Sequence, residues 1–205
     1  MKGILGRKLG MSQVFDPETG AMAAVTVIQA GPCPVVQVKT VDTDGYDAVQ
    51  LAFEPVAERK LAKPELGHLA KAGAGPHRHL VEMRGPSGLS VGETVTVEAF
   101  EPGEQVRVSG ISVGKGFQGT IKRHGFTRGP VTHGSHNIRK PGSIGASATP
   151  SRVFKGRRMP GRMGGTRVTQ PSLVIHEVDL ERNLLVIRGS VPGPKSGIVQ
   201  IRGAQ

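Results

Sequence analysis

The sequence predicts a mostly β protein with a closed barrel or a sandwich architecture. Six segments are rich in Val with partial alternation of apolar and polar residues, and turn signals near Gly31 and Asp44 separate the first of them. Only one segment has a convincing helical pattern, so the crossover helices that a parallel sheet requires are missing. The 205 residues suffice for one core and a smaller lobe.

The predicted strands are short and are bounded by turn residues. The segments are residues 22–40, 46–54, 89–100, 104–113, 172–179 and 183–189, and the Gly-Pro signal near Gly31 divides the first of them. Glu181, Arg182 and Asn183 lie between the last two segments and are typical of a hairpin turn. Regular turns between short strands favour antiparallel pairing.

The one predicted helix is KPELGHLAKAG, residues 63–73. Pro64 occupies a first-turn position, Leu66, Leu69 and Ala70 share one face, and Gly73 is a typical terminator. Lys, Gly and Pro residues flank this helix, so residues 55–80 are predicted to form a small inserted lobe. The segment GPHRHL that follows is interpreted as a turn.

Charge is the most informative property of the chain. The formal net charge is +11 and the isoelectric point is near 10.4. Residues 105–176 contain 13 Lys or Arg and no acid, which concentrates the positive charge in one acid-free block. Such a block indicates a polyanionic partner, with nucleic acid first and an anionic membrane second. No apolar run reaches the length of a membrane span, and Arg7 and Lys8 interrupt the N-terminal apolar positions, so a cytoplasmic protein without a signal peptide is expected.

Residues 124–167 are predicted to form a basic extension from a barrel domain that comprises residues 1–123 and 168–205. These 44 residues contain nine Gly, four Pro, nine Lys or Arg and only eight large apolar residues. That is too little apolar surface to offset the entropy of ordering the segment, so it is expected to fold against a partner. Arms of about 20 residues would reach roughly 65 Å.

The segment SVGKGFQG contains the spacing of a dinucleotide-binding loop. Gly114, Gly116 and Gly119 match G-x-G-x-x-G, but the sequence after Gly119 is a poor helix start and no acid occurs before Glu177 to hold a ribose. The glycines are therefore interpreted as positions where the backbone approaches a polynucleotide. The block contains only three aromatic residues, which favours phosphate contacts over base stacking.

Catalytic and metal chemistry have no support in the sequence. His124, His133 and His136 have no neighbouring acid or Cys to complete a metal site, and they are interpreted as hydrogen-bonding or phosphate-contacting groups. Cys33 is the only cysteine and is predicted to be a small core residue. No nucleophile motif occurs, so we expect neither an enzyme nor a cofactor.

Four stretches resemble the bacterial large-subunit ribosomal protein L-three family: GILGRKLGMSQVF, SVGKGFQGTIKRHGF, THGSHNIRKPGSIGASATPSRVFKGRRMPGRMGG and VDLERNLLVIRGSVPGPKSG. The resemblance runs through nearly the whole chain. It implies a six-stranded β-barrel of the translation-protein type with a small inserted lobe, and an extension that reaches toward the peptidyl transferase centre. It also implies a cytoplasmic, ribosomal location, binding to large-subunit ribosomal RNA near its 3′ end, an early role in subunit assembly, and ribosomal protein neighbours, with no membrane or small-molecule partner.

The candidate site residues combine the basic pattern with this resemblance. The predicted RNA-binding residues are Lys2, Arg7, Lys8, Lys115, Lys122, Arg123, His124, Arg128, His133, His136, Arg139, Lys140, Arg152, Lys155, Arg157, Arg158, Arg162 and Arg167. The extension tip is Gly145, Ala146, Ser147, Ala148, Thr149 and Pro150. Many bacterial family members read Gly-Gln-Asn-Gln-Thr-Pro at the tip, with the second Gln methylated; Ala148 cannot carry that modification.

Two other functions remain open at this point, a free-standing basic RNA chaperone and a nucleotide-binding enzyme. A structural subunit protein would co-sediment with large subunits at close to one copy each, whereas a free protein would not.

Overall fold

A computed structural model describes residues 2–15, 20–85 and 88–203. The chain divides into two compact units, one formed by Met1–Ser112 with Arg167–Gln205 and the other by Val113–Thr166. The sequence prediction starts the extension at residue 124, whereas the second unit starts at Val113. Residues 1, 16–19, 86–87 and 204–205 of the predicted barrel domain lie outside the described residues.

The described elements are mostly strands. The strands are β1 (Gly3–Phe15), β2 (Met22–Ala30), β3 (Cys33–Lys39), β4 (Ala48–Pro55), β5 (His77–Arg84), β6 (Thr94–Val95), β7 (Gln105–Ile111), β8 (Phe117–Gln118), β9 (Gly161–Arg162), β10 (Arg167–Asp179), β11 (Leu184–Arg188) and β12 (Ile198–Gly203). The helices are α1 (Val41–Asp44), α2 (Lys63–Lys71) and α3 (Thr120–His124), with short 3-10 helices at Glu58–Lys60 and Val97–Ala99.

Six strands of the first unit form a closed antiparallel barrel in the order β1, β12, β7, β10, β11, β2. The predicted fold class is therefore confirmed, and so is the hairpin between β10 and β11, in which Asp179 faces Leu184. Alternate side chains fill the interior, among them Ile4, Val108 and Ile201, which are fully buried. Burying one such aliphatic side chain contributes about 1.5–3 kcal/mol, so this core stabilises the unit.

Two barrel strands, β1 and β12, were not predicted from the pattern. In β1, glycines and charged residues interrupt the alternation. Gly6 is required there because a Cβ would lie 2.6 Å from Ile28 Cγ2, which would keep β1 and β2 apart. A β-bulge between Lys8 and Gly10 shifts the register of the pair and changes which face each following side chain occupies. These strands form because barrel closure supplies hydrogen-bonding partners on both sides.

A four-stranded sheet in the order β5, β4, β3, β6 and helix α2 make up the rest of the first unit. The predicted helix is confirmed at Lys63–Lys71, and Gly73 follows it with φ +68°. The predicted apolar face is only partly correct, because Leu69 is buried, Leu66 is half-buried and Ala70 is exposed. Leu69 packs with the buried residues Val36 and Ala52 in a second small core.

Two local predictions in this region were wrong. The segment interpreted as a turn at His77 is strand β5, because β4 offers it a continuous pairing edge from Ala48 to Pro55. The predicted strand at residues 89–100 is reduced to β6 and a 3-10 helix, although Val95, Val97 and Phe100 are buried as its apolar pattern requires. Cys33 is a core residue as predicted, and burial raises the pKa of its thiol to about 12.

The unit Val113–Thr166 contrasts with the first unit in its burial. Of its residues, all of which the structure describes, Thr120 alone is buried. Its regular structure is confined to α3 and to the pair β8 and β9. This unit has no hydrophobic core of its own.

Candidate nucleic-acid interface

The base of the second unit is a short two-stranded ladder. Phe117 pairs with Arg162, the Lys115 N–H donates to the Met163 carbonyl at 2.8 Å, and the Met163 N–H donates to the Gly116 carbonyl at 2.9 Å. Gly116 has φ +67°, a conformation in which a side chain would be strained. A Cβ on Gly164 would collide with the Val113 carbonyl oxygen. Glycine therefore allows the two chain segments at this base to lie close together.

Helix α3 begins at a place where the sequence did not predict a helix. The sequence after Gly119 was predicted to be a poor helix start, yet a helix begins there at Thr120 and ends at His124, with Gly125 at φ +70°. This helix has only five residues. The pair β8 and β9 is antiparallel and no acid occurs before Glu177, so the arrangement lacks the parallel βαβ unit and the ribose carboxylate of a dinucleotide site.

Two hydrogen-bond donors at the end of α3 bind the chain segment that contains Met159. Arg123 Nη1 donates to the Met159 carbonyl at 2.7 Å, and His124 Nε2 lies 2.9 Å from the same oxygen and must donate to it. Gly161 passes close to the guanidinium, because a Cβ there would lie 2.7 Å from Arg123 Nη1. Arg123 and His124 thus act within the unit, as bridges between its two segments.

Two hydrogen bonds of Ser143 fix the chain just before the predicted tip. Ser143 Oγ donates to the Gly145 carbonyl at 2.9 Å, and Arg157 Nη2 donates to the Ser143 carbonyl at 2.5 Å. The Arg152 guanidinium lies 5.5 Å from the centre of the Phe154 ring, which is a cation–π distance. Residues 145–149 are exposed and Pro150 is half-buried. The tip is therefore a surface of small residues between the segments that carry Ser143 and Arg152.

Most predicted RNA-binding cations of this unit are exposed. They are Lys115, Lys122, Arg128, Arg139, Lys140, Arg152, Lys155, Arg157, Arg158 and Arg162, and His133 and His136 are exposed with them. Because residues 113–166 contain no Asp or Glu, none of these charges is neutralised within the unit. Uncompensated like charges on a segment without a core oppose its compaction and attract a polyanion.

Two aromatic side chains of the unit are well exposed to solvent, although the sequence analysis favoured phosphate contacts over base stacking. Phe117 is 76% exposed and Phe154 is 63% exposed. Exposed rings next to cations are surfaces on which a base can stack. The alternation of Phe with Lys and Arg in KGFQ and RVFKGRR was the signal that could have indicated this.

The predicted residues on the first unit have different surroundings. Lys2 is exposed and pairs with Glu104 at 3.4 Å, and Arg167 donates from Nη2 to Gln200 Oε1 at 2.5 Å. Arg7 forms an ion pair with Glu54, and His79 Nε2 lies 3.3 Å from the same Glu54 oxygen.

Lys8 points inward and is removed from the candidate RNA-binding set. The side chain is only 9% exposed, and Nζ donates to the Val191 carbonyl at 2.8 Å and to the Gly193 carbonyl at 3.3 Å. Lys8 continues the inward-facing alternation of Ile4 and Gly6 and pairs with the buried Ile28, so its side chain is directed to the interior before the β-bulge begins.

Other kinds of site have little support. Clefts of about 210 Å³ and 280 Å³ lie in the first unit, the former lined by Val36, Val38 and His68 and the latter by Leu61, His77 and His79. Within the described ranges, no group of His, Cys, Asp or Glu could hold a metal ion. No described helix is both long enough and apolar enough to cross a membrane.

Comparison with known proteins identifies the family. A family model described as Ribosomal protein L3 matches residues 89–183. The chain is 55% identical over 204 residues to the large ribosomal subunit protein uL3 of Synechococcus elongatus, covering 98% of this chain and 95% of the relative. It is 56% identical over 205 residues to the protein of the same name from Bacillus cytotoxicus, covering 99% and 97%. With identity of this extent over the barrel, the lobe and the acid-free unit alike, the chain belongs to the ribosomal protein L3 family.

Proposed function

We propose that this protein is a structural constituent of the large ribosomal subunit and that it binds large-subunit ribosomal RNA. The observation that carries the proposal is the unit Val113–Thr166, which has eleven Lys or Arg, no acid and a single buried residue. A segment with this composition gains its stability from a polyanion that surrounds it. The names of its relatives, large ribosomal subunit protein uL3, support the same assignment.

The two units have separate roles in this proposal. The barrel is a folded platform, and the acid-free unit penetrates RNA with its small-residue tip directed toward the peptidyl transferase centre. Arg and Lys side chains neutralise phosphates along the way, while glycines permit close approach of the backbone. The protein acts early in subunit assembly because it stabilises RNA folds that later components require, and it contacts neighbouring ribosomal proteins. No residue has a catalytic role.

Sedimentation of a cell extract tests the proposal. A tagged copy of the full chain is expected to migrate with large subunits at close to one copy per subunit, and to stay there after a wash in moderate salt. A variant in which residues 113–166 are replaced by a short turn is the matched control, because it keeps the barrel and loses the acid-free unit. A full chain that remains at the top of the gradient would favour a free RNA chaperone or a nucleotide-binding enzyme instead.

A further inference from the structure

The outer wall of the barrel carries three arginines on three adjacent strands. Arg202 of β12 lies directly opposite Arg107 of β7 in the antiparallel register. Arg167 is the first residue of β10, which pairs with the other edge of β7. The residues that alternate with Arg107, Val106 and Val108, are fully buried in the barrel interior, so Arg107 faces outward. Arg167 pairs with Ile111, four residues or about 13 Å along β7 from Arg107, and its side chain reaches Gln200 of β12. The three cations, far apart in sequence, are thus spread along one outer face of the barrel wall.

This arrangement is unfavourable in the free protein. Like charges directly opposite each other on paired strands repel. Partial burial lowers the pKa of the Arg202 guanidinium, and the charges of Arg167 and Arg107 lower it further. Within the described part of the chain, the Arg107 side chain has no ion-pair or hydrogen-bond partner, and the Arg202 guanidinium donates to the Arg84 carbonyl at 3.4 Å. Glu104, the acid just before β7, is paired with Lys2. The cluster therefore lacks the carboxylate that would normally balance it.

The neighbouring polar groups suit a phosphodiester. Thr169 is exposed, and its Oγ1 lies 2.8 Å from Oγ of the buried Ser109 across β7 and β10. Gln200 faces Ser109 from β12, and its Oε1 accepts from Arg167. This row of hydroxyl and amide groups is two residues along the strands from the Arg202 and Arg107 pair, or about 7 Å. Guanidinium forks beside hydroxyl donors match the oxygens of a sugar-phosphate backbone, and no acid interrupts them.

We infer that Arg107, Arg167 and Arg202 form a second RNA-backbone site, on the barrel wall. The occupant is the sugar-phosphate backbone of folded large-subunit ribosomal RNA, so the inference rests on the proposed function. Only Arg167 belongs to the basic residues that the sequence singled out, because Arg107 and Arg202 lie within alternating strands and resemble ordinary solvated positions. With this site, the barrel is itself an RNA-binding surface in addition to a platform for the second unit.

Binding of the full chain to deproteinised large-subunit ribosomal RNA, measured over a range of KCl concentrations, tests the site. The triple variant Arg107→Gln, Arg167→Gln, Arg202→Gln should lower the magnitude of the log–log salt slope by about 2 to 3, because three phosphate contacts are lost. The control variant Arg59→Gln, Lys60→Gln, Lys71→Gln removes the same charge from exposed positions of the lobe. We expect the control to change the slope by less than about 1.

The outcomes separate the inference from its premise. Equal losses of slope in both triple variants would show an effect of net charge alone and would overturn the site. A wall variant that binds RNA like the unmodified chain but no longer co-sediments with large subunits would identify an acidic protein partner, which also overturns it. Failure of the proposed function would look different, since the unmodified chain itself would show no salt-dependent binding.

A folding control completes the test. The single variant Arg107→Gln removes a repelling charge without removing a hydrogen bond, so its melting temperature in the absence of RNA should equal or exceed that of the unmodified chain. Its salt slope should still fall by about 0.7 to 0.9. A lower melting temperature with an unchanged slope would mean that Arg107 supports the barrel and does not bind RNA.

Discussion

At the scale of single residues, Glu54 links two parts of the first unit. Its Oε2 forms an ion pair with Arg7 of β1 and lies 3.3 Å from His79 Nε2 of β5, so Glu54 joins the barrel to the four-stranded sheet. The bonded Arg7 guanidinium holds the pKa of the Glu54 carboxyl below its usual value, against the opposing effect of partial burial. Glu54 also adopts φ +64°, which is unusual for a residue with a side chain.

The substitution Glu54→Gln should lower the free energy of unfolding by about 1–3 kcal/mol at pH 7, because a partly buried guanidinium loses its charged partner. A carboxyl whose pKa is depressed in the folded state stabilises the protein above its unfolded pKa, and that stabilisation is lost as the pH falls through the folded pKa. The difference between the two proteins should therefore shrink as the pH falls below 4.5. Chemical denaturation at pH 7 and at successively lower pH values measures it; a difference that is constant with pH would contradict the role of the charge.

Comparison of Lys8 with Arg107 tests the difference between a buried and an exposed positive charge. Lys8→Met should lower the free energy of unfolding by about 1.5–3 kcal/mol, because the carbonyls of Val191 and Gly193 lose a charged donor. The salt slope of RNA binding should stay unchanged, in contrast to Arg107→Gln, although both variants lose one positive charge. Thermal unfolding and salt-dependent RNA binding of the two proteins form the measurement. A reduced slope for Lys8→Met would return this residue to the RNA-binding set.

At the scale of elements, the second unit is inserted into what would otherwise be a hairpin. Ile111 of β7 pairs with Arg167 of β10, so the chain leaves and re-enters the barrel at neighbouring positions. The Cα atoms of such antiparallel partners lie about 4.5–5.5 Å apart. A turn of a few residues can therefore replace the whole unit.

Replacement of residues 113–166 by an Asn-Gly turn with short flanks should leave a cooperatively folded barrel, because only one buried residue is removed and the loop becomes shorter. Affinity for ribosomal RNA should fall strongly, since eleven positive charges are lost. Circular dichroism with thermal unfolding tests the first part and RNA binding the second. Loss of cooperative unfolding would show that the barrel depends on the inserted unit.

The tip should be sensitive to size more than to charge. Ser147→Phe or Ala148→Phe is expected to leave barrel folding and subunit incorporation nearly intact. The hydrogen bonds of Ser143 and Arg157 and the surrounding cations are unchanged in both variants. Under the proposed function, a bulky tip should shift nearby nucleotides and alter sensitivity to antibiotics of the peptidyl transferase centre. Drug susceptibility is measured together with occupancy in purified subunits. Unchanged susceptibility at full occupancy would place the tip elsewhere, and lost occupancy would make it an anchor.

The elements also show what the sequence could and could not predict. Strands β2, β4 and β11 are rich in apolar residues with partial alternation and have turn residues near their ends, and this local pattern was sufficient to predict them. Strand β1 depends on its neighbours. Ile28 of β2 approaches Gly6 so closely that a side chain there would collide, and Lys8 faces inward because the carbonyls of Val191 and Gly193 accept its hydrogen bonds. Such features come from tertiary pairing and have no local signature.

At the scale of the whole molecule, the uneven distribution of charge was visible in the sequence, but the contribution of the barrel to it was not. The acid-free block led to the prediction that the cations of the second unit bind RNA, and ten of its eleven Lys or Arg are exposed in the structure. The grouping of Arg107 with Arg202 required the register of β7 and β12, which no local pattern specifies. The alternation of side chains along each strand places both residues on the outer face of the barrel. The pairing of β7 with β12 then makes them neighbours.

Binding of the whole chain to large-subunit ribosomal RNA should be strongly salt-dependent. If about six to ten cations contact phosphates, the log–log slope against salt concentration should be roughly −5 to −9, because each contact releases condensed counterions. Filter binding or fluorescence titration at several KCl concentrations measures it. A slope near zero would contradict electrostatic recognition and favour recognition of a small molecule or a protein.

The closure of the barrel has a further consequence for copies that have not yet met RNA. A ring of six strands leaves no free strand edge, so two barrels cannot join by strand addition, which is a common route to aggregation. The open four-stranded sheet still has β5 and β6 at its edges, and there the net charge of +11 helps to keep identical copies apart in solution. The same charge exposes a newly made chain to a different hazard, which is adhesion to the wrong polyanion, such as messenger RNA or DNA.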